Sequence, residues 1–134
     1  MDKNMNSKRI INVSNRLPVK LTIKEGVYNY ECSEGGLATG LSSAISDVEH
    51  IWIGWPGAEV PSAKQEVVTS ELKQRKLRPV FLEACDIENF YEGFSNGTIW
   101  PLFHYFPSYS NYDPVFWESY VSVNQKYADE ILKF

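Results

Sequence analysis

Between residues 10 and 30 the pattern of hydrophobic and polar positions changes from a short, mostly apolar run to alternation. Residues 10–14 form a short and largely β-branched apolar run, which is typical of a buried parallel strand. Residues 19–23 and 28–30 alternate apolar with polar side chains, and turn-forming residues 24–26 separate them. The pattern therefore predicts one buried strand followed by a β-hairpin.

The middle of the chain alternates between helical and strand-like patterns. Apolar positions recur at helical spacing over residues 36–48, and residues 51–55 then predict a second strand. Residues 62–76 predict a charged helix, and residues 79–82 predict a third strand. The inward side chains of this charged helix are expected to be Val67, Val68 and Leu72. Strands that alternate with helices in this order indicate a parallel sheet with right-handed crossovers.

The last third of the chain is aromatic and ends in a long helix. Asp86 is predicted to cap a helix that carries Phe90 and Tyr91, whereas residues 95–112 are predicted to be irregular. Asp113 as N-cap and Pro114 at the first helical position open a final helix. Its apolar face consists of Phe116, Trp117, Tyr120, Val121, Tyr127, Ala128, Ile131 and Leu132.

The fold class that these elements predict is α/β, a Rossmann-like parallel sheet with an inserted β-hairpin. Residues 1–8 are expected to form a flexible tail. With 134 residues and 43% hydrophobic content, residues 9–134 are expected to form one domain with a real core. The last helix is still periodic at Phe134 and no closing strand follows, so we expect this domain to be partial and the protein to continue.

Charge and hydropathy exclude several classes of partner. Seventeen acidic and 13 basic residues are interspersed and give a net charge of −4, which argues against a nucleic-acid partner. No apolar run approaches the roughly 18 residues that span a membrane, and the polar start lacks the apolar centre of a signal peptide. Cys32 and Cys85 have no metal-ligand spacing and are expected to be free, buried or half-buried thiols. We therefore expect a cytoplasmic protein with no membrane partner, metal or cofactor.

One arginine and a pair of glycines form the first candidate site. Arg16 follows the first strand, at the edge where open α/β sheets place ligands, and its planar guanidinium suits phosphate. Nineteen positions later, Gly35 and Gly36 open a helix whose unpaired N–H groups attract anions. An ordinary surface arginine and a ligand-free turn remain the alternatives for these residues. Taken together, Arg16 and the two glycines favour a site for a sugar phosphate or a nucleotide sugar.

Aromatic residues are the second candidate feature. They make up 14% of the chain, and most of them are expected to lie in the core. Trp55, Tyr91 and Trp100 lie beside a strand end or a turn, where a flat ring covers the C–H face of a sugar. The Tyr91 hydroxyl is suited to donate to a phosphate oxygen. No serine, cysteine or histidine has the spacing of a catalytic triad, so no catalytic residue is expected in this chain.

Six strings of the sequence resemble the amino-terminal part of trehalose-6-phosphate synthases. They are Val13-Ser-Asn-Arg16-Leu-Pro-Val19, Gly35-Gly-Leu-Ala-Thr-Gly-Leu41, Trp52-Ile-Gly-Trp-Pro-Gly57, Pro79-Val-Phe-Leu82, Phe90-Tyr-Glu-Gly-Phe-Ser-Asn96 with Trp100-Pro-Leu-Phe-His-Tyr105, and Trp117-Glu-Ser-Tyr-Val-Ser-Val-Asn124. This resemblance implies a retaining glycosyltransferase that joins UDP-glucose to glucose 6-phosphate. It also implies the glycosyltransferase B fold of two Rossmann-like domains, of which this chain supplies most of the first.

The resemblance also implies roles for individual residues. Arg16 and Tyr91 would hold the phosphate of the acceptor, and Trp55 and Trp100 would line the same pocket. Gly35 and Gly36 would lie against the diphosphate of the donor. Relatives usually have a small or uncharged residue just before the two glycines, whereas this chain has Glu34. A carboxylate at this position would repel the diphosphate unless it turns away. The donor-binding second domain is absent from these residues, so the chain by itself is expected to be inactive and to need the remainder of the enzyme.

Two alternatives stay open at this point. One is a related synthase with another phosphorylated acceptor, such as glycerol 3-phosphate, because Arg16 and Tyr91 would bind either phosphate. The other is a non-catalytic module that binds sugar phosphates and regulates a partner. The donor base, a following phosphatase domain and the oligomeric state, homo-oligomers included, are also left open by the sequence.

Overall fold

A computed structural model of the protein describes residues 9–33, 36–45 and 48–134. Their contacts divide the chain into two compact units, the first ending at Phe81 and the second running from Leu82 to Phe134. The predicted flexible tail at residues 1–8 lies outside the described residues.

The first unit combines a parallel sheet with a hairpin. Its elements are β1 (Ile10–Arg16), β2 (Val19–Lys24), β3 (Val27–Cys32), α1 (Gly36–Ile45), β4 (His50–Trp55), α2 (Ser62–Lys73) and β5 (Leu77–Pro79). Strands β1, β4 and β5 pair in parallel in that order, and β2 pairs with β3 in antiparallel fashion. The predicted parallel sheet and inserted hairpin are therefore confirmed.

The hairpin closes through a tight two-residue turn. Glu25 and Gly26 have φ angles of 51° and 77°, and the flanking residues Lys24 and Val27 pair directly. Two successive positive φ angles match the right-handed twist of the strands, and glycine adopts such an angle without strain. The sequence signal at residues 24–26 thus has a local physical cause.

Helix α2 covers the core of the first unit. Val68 and Leu72 are fully buried, whereas Val67 is 48% exposed, so the prediction that Val67 faces inward is wrong. Residues 68 and 72 are one turn apart on the same helical face, and residue 67 points about 100° away from residue 68. The buried core cluster consists of Leu17, Val19, Leu21, Trp52, Val60, Val68, Leu72 and Leu77.

The third strand begins and ends earlier than predicted. It spans Leu77–Pro79 instead of residues 79–82, because its pairing with β4 ends at Gly54. The Val80 N–H still donates to the Gly54 carbonyl oxygen at 2.9 Å. Residues 81 and 82 continue without strand pairing.

Polar contacts also join the hairpin to α2. The Tyr30 hydroxyl donates to the Glu71 carboxylate, and the Arg75 guanidinium carbon lies 5.1 Å from the centroid of the Tyr30 ring. Partial burial, together with the hydrogen bond to Glu71, raises the pKa of Tyr30 above its ordinary value. The hydrogen bond between Tyr30 and Glu71 therefore joins the hairpin to α2, with Tyr30 in its neutral form.

The second unit is helical throughout most of its length. It contains α3 (Ala84–Asp86), a π-helix (Ile87–Ile99), α4 (Trp100–Phe103), a 3₁₀ turn (Pro107–Tyr109) and α5 (Pro114–Ile131). The prediction of an irregular segment from residue 95 is wrong up to Phe103. Asp113 caps α5 by accepting a hydrogen bond from the Val115 N–H at 2.9 Å, as predicted.

The cap at the start of the second unit differs from the prediction. Glu83, not Asp86, is the N-cap of α3, and Asp86 is the third helical residue. Asp86 accepts a hydrogen bond from the Glu83 N–H at 3.0 Å, which completes a reciprocal capping box. The buried Asp86 carboxylate also forms an ion pair with Lys126 of α5.

Close packing explains a glycine in the π-helix. A Cβ atom on Gly93 would lie 2.6 Å from the ring of Phe116, so the missing side chain lets α5 approach the π-helix. The wide turn is visible in a backbone hydrogen bond that spans five residues at the end of the π-helix, where the Trp100 N–H donates to the Ser95 carbonyl oxygen. These contacts hold the second unit together around its aromatic residues.

Gly54→Ala is expected to destabilise the first unit. A Cβ at Gly54 would lie 2.8 Å from the Ser14 carbonyl oxygen and 2.9 Å from the Leu17 nitrogen, and neither backbone atom yields easily. We expect the free energy of unfolding of the 134-residue chain to fall by about 1–3 kcal/mol, measured by chemical denaturation.

Gly40→Ala in α1 is the matched control, because a Cβ there meets nothing within 4 Å. Alanine is the better helix former, so this change should be neutral or stabilise by roughly 0.5–1 kcal/mol. Equal effects of the two substitutions would contradict the close strand approach at Gly54.

Candidate functional site

A β-bulge lies at the carboxyl end of β1. Between the pairs Val13–Ile53 and Arg16–Trp55, β1 contains one residue more than β4, and the extra residue is accommodated opposite Gly54. A bulge bends its strand and redirects the side chains that follow it. The irregularity therefore sets the direction of Arg16 at the sheet edge where open α/β folds bind their ligands.

Three hydrogen bonds fix the backbone of this bulge. The Trp52 indole N–H donates to the Ser14 hydroxyl oxygen at 2.7 Å, and that hydroxyl donates to the Arg16 carbonyl oxygen at 2.6 Å. The Leu17 N–H donates to the Trp55 carbonyl oxygen at 2.8 Å. The peptide groups that follow Arg16 are thus tied to β4 and to a buried tryptophan.

The Arg16 side chain lies against an aromatic ring and a glycine. Its guanidinium carbon is 5.3 Å from the centroid of the Trp55 ring, which is a cation–π contact. A Cβ on Gly57, whose φ angle is 89°, would lie 2.8 Å from Arg16 Nη2. The guanidinium therefore lies against two neighbours, Trp55 and Gly57, and neither of them carries a negative charge that would neutralise it.

The electrostatics of this corner suit an anion. Within the described residues, no carboxylate forms an ion pair with Arg16, whose side chain is exposed. Among the residues that the structure describes, the buried indole N–H of Trp55 also has no hydrogen-bond partner. An uncompensated cation beside an unused donor is an arrangement that favours a phosphate or carboxylate ligand.

The glycine pair is described only in part. Gly36 begins α1, which confirms the predicted helix start, and a Cβ at this residue would meet nothing within 4 Å. Gly35 and Glu34 lie outside the described residues. The role of Gly35 and Gly36 at the donor diphosphate stays a prediction.

The remaining predicted residues belong to the second unit. Tyr91 is half-buried in the π-helix, and Trp100 is 54% exposed at the start of α4. The structure thus brings Arg16 and Trp55 together in the first unit, and it positions Tyr91 and Trp100 within the second. The acceptor-binding roles of all four residues stay predictions.

Trp100 borders an aromatic cavity that sequence reasoning missed. The cavity measures about 520 Å³ and is lined chiefly by Phe94, Ile99, Trp100, Phe103, Trp117 and Tyr120. His104 also borders it and stacks on Trp100, with ring centroids 3.9 Å apart. The i, i+4 spacing of Trp100 and His104 is a signal for this stacking, but it requires a helix at residues predicted to be irregular.

Metal and membrane features are lacking within residues 9–33, 36–45 and 48–134. No group of three or more His, Cys, Asp or Glu side chains there is arranged to hold a metal ion. No helix among these residues has both the length and the apolar character needed to cross a bilayer. Cys32 and Cys85 are free thiols, as predicted, but both are exposed rather than buried.

Comparison with known proteins decides the family. The sequence profile of glycosyltransferase family 20 matches residues 8–134. The chain belongs to glycosyltransferase family 20. A similar protein in this family is the UDP-forming alpha,alpha-trehalose-phosphate synthase of Candida albicans, which is 41% identical over 127 residues. That match covers 93% of this chain and 27% of the Candida protein.

Solved structures support the assignment to glycosyltransferase family 20. The UDP-forming alpha,alpha-trehalose-phosphate synthase of Burkholderia vietnamiensis is 27% identical and superposes with a TM-score of 0.65, over 93% of this chain and 25% of that one. An E. coli structure, described as trehalose-6-phosphate bound with UDP-2-fluoro glucose, gives 0.66 at 25% identity, over 94% and 25%. The α/β fold class and the family resemblance are confirmed, and the chain spans about a quarter of the length of these relatives.

Gly57→Ala is expected to displace the Arg16 guanidinium from Trp55. The new Cβ would collide with Arg16 Nη2, so the indole N–H resonance of Trp55 should shift in a ¹⁵N NMR spectrum of the chain. The residue change also costs about 1–2 kcal/mol of folding free energy, because alanine disfavours a positive φ.

Gly26→Ala is the matched control for this family 20 chain. Gly26 has a similar φ of 77°, but nothing lies within 4 Å of its Cβ position. Its substitution should cost a similar amount of stability and leave the Trp55 resonance in place. An unchanged Trp55 resonance in the Gly57→Ala chain would contradict the contact between Gly57 and Arg16.

Proposed function

We propose that this chain forms the acceptor side of a UDP-forming trehalose-phosphate synthase. The reaction transfers glucose from UDP-glucose to glucose 6-phosphate and gives trehalose 6-phosphate with retention of the α configuration. The observation that carries the proposal is Arg16, held by Trp55 and Gly57 at the carboxyl edge of the sheet without an ion-pair partner among the described residues. Membership of glycosyltransferase family 20 supports it.

Phosphate recognition is the first task of the proposed site. A guanidinium offers parallel N–H donors to two phosphate oxygens, and such charge-assisted bonds are worth roughly 1.5–3 kcal/mol. Arg16 is already oriented by its cation–π contact, so little side-chain entropy is lost when the ligand binds. The phosphate of glucose 6-phosphate meets these requirements.

The other predicted residues complete the proposed substrate contacts. Trp55 and Trp100 would lie against the acceptor sugar, and the Tyr91 hydroxyl would donate to its phosphate. Gly35 and Gly36 would lie against the diphosphate of UDP-glucose, where a helix start stabilises negative charge. The E. coli relative bound with UDP-2-fluoro glucose supports a nucleotide-sugar donor.

The proposed chemistry needs no protein nucleophile. A hydroxyl of the bound acceptor attacks the anomeric carbon of the donor, the bond from that carbon to UDP breaks, and UDP and a proton are released. The hydroxyl attacks from the face of the donor sugar that UDP leaves, so the α configuration is retained. Catalysis then rests on holding the acceptor on that face and on stabilising the charge that develops on the diphosphate. The contribution of this chain is to fix the acceptor through its phosphate and its ring.

The proposed partner of this chain is the remainder of a synthase. The curated relatives are about four times as long as the matched segment, and we propose that their remaining length supplies the donor-binding domain. The chain by itself is then inactive. We also propose that it acts in the cytoplasm, where free thiols such as Cys32 and Cys85 stay reduced.

A fusion protein tests this proposal. Residues 8–134 replace the matching segment of the Candida albicans synthase, and the product of UDP-glucose with glucose 6-phosphate is identified by mass spectrometry. We expect trehalose 6-phosphate and UDP in equal amounts, and no product from the 134-residue chain by itself. A fusion that folds but accepts only glycerol 3-phosphate would overturn the proposed acceptor.

Arg16→Ala in this fusion is expected to weaken the binding of the acceptor, glucose 6-phosphate, and not that of the donor. Losing the phosphate contact should raise KM for glucose 6-phosphate by about ten- to a hundredfold. KM for UDP-glucose should stay within about twofold of its value in the unsubstituted fusion, because donor binding does not depend on this contact.

Arg75→Ala is the matched control for this prediction. Arg75 is also a guanidinium stacked on an aromatic ring of the first unit, but its partner is Tyr30. Its loss should leave KM for both substrates unchanged. If the two substitutions affect KM for glucose 6-phosphate equally, Arg16 is not the phosphate-binding residue.

A further inference from the structure

The Ser14 hydroxyl lies between the buried core and the backbone of Arg16. It accepts a hydrogen bond from the Trp52 indole N–H at 2.7 Å and donates one to the Arg16 carbonyl oxygen at 2.6 Å. We propose that Ser14 is a positioning residue, which holds Arg16 in the orientation that binds the phosphate of the acceptor. This inference rests on the proposed function, because it gives Arg16 a ligand to position.

The bulge creates the need for such a residue. An extra residue in one strand interrupts the regular hydrogen bonding of the sheet, so the backbone there is held less firmly than in a continuous ladder. The extra residue of β1 lies opposite Gly54, immediately before Arg16. A hydrogen bond to the backbone next to the bulge therefore helps to fix the direction in which the Arg16 side chain leaves the strand.

Ser14 supplies that restraint with both of its hydrogen-bonding functions. A hydroxyl has one donor and can accept at the same time, and here each function has a partner. Trp52 is only 4% exposed and belongs to the buried core cluster of the first unit. The chain of two hydrogen bonds therefore connects the buried core to the peptide group of Arg16.

The side-chain contacts complete the orientation. The Leu17 N–H donates to the Trp55 carbonyl oxygen at 2.8 Å, so the same peptide group is fixed on its nitrogen side. With the backbone held, the guanidinium reaches the Trp55 ring at 5.3 Å. Ser14 itself touches no reacting atom in this arrangement, and it acts only through Arg16.

A double-mutant cycle in the 134-residue chain tests this inference. Glucose 6-phosphate is titrated into ¹⁵N-labelled chains that carry Ser14→Ala, Arg16→Ala, both changes or neither, and NMR shifts give each dissociation constant. We expect Ser14→Ala to weaken binding about three- to tenfold, but by less than about twofold in the Arg16→Ala chain. A residue that acts through Arg16 has no further effect once Arg16 is gone.

Two further variants separate positioning from a general effect on structure. Ser14→Thr keeps the hydroxyl and should restore the affinity of the unsubstituted chain. Ser43→Ala is the matched control, since it removes a serine hydroxyl that donates to the Thr39 carbonyl oxygen within α1. This control should leave the affinity for glucose 6-phosphate unchanged.

The outcomes distinguish this inference from the proposed function. If Arg16→Ala does not weaken binding, or no chain binds glucose 6-phosphate, the proposed phosphate site fails and the role of Ser14 fails with it. If Arg16→Ala weakens binding but Ser14→Ala has no effect, or an equal effect in both backgrounds, only the positioning role is overturned. A Ser14→Ala chain that loses its folded circular dichroism spectrum also overturns it, because Ser14 would then serve folding.

Discussion

The close approach of two strand backbones at Gly54 is the constraint on which the candidate site depends. A side chain at this position would collide with the Ser14 carbonyl oxygen and the Leu17 nitrogen. Because Gly54 has none, β1 can bulge beside β4 and still return to pairing at Arg16 and Trp55. A single missing Cβ thus permits a local irregularity that a regular parallel ladder would not allow.

The bulge directs a strand residue, Arg16, toward the proposed phosphate site. Arg16 leaves the sheet beside Trp55, the preceding hydroxyl of Ser14 fixes its carbonyl group, and Gly57 leaves space for its guanidinium. Each of these contacts orients the cation without neutralising it. A binding group that is oriented before its ligand arrives loses less entropy on binding, which is the general advantage of a site built on rigid elements.

Features with local causes were predictable from the sequence, and features that depend on distant contacts were not. The turn at Glu25–Gly26 and the cap at Asp113 follow from neighbouring residues, and the position of Arg16 at the end of β1 follows from the mostly apolar run before it. The bulge lies opposite Gly54 of β4, and the hydrogen bond that joins it to the core links Ser14 to Trp52, 38 positions apart. The π-helix has no simple period in the sequence, so the sequence predicts a helix only for its first residues and an irregular segment from Ser95 onward.

A crystal structure of the Candida fusion with glucose 6-phosphate is the most direct test of the phosphate site. The account predicts two phosphate oxygens within about 2.7–3.1 Å of the Arg16 guanidinium nitrogens, with the guanidinium still stacked on Trp55. A bound glucose 6-phosphate whose phosphate is held by other residues, with Arg16 turned away, would contradict it.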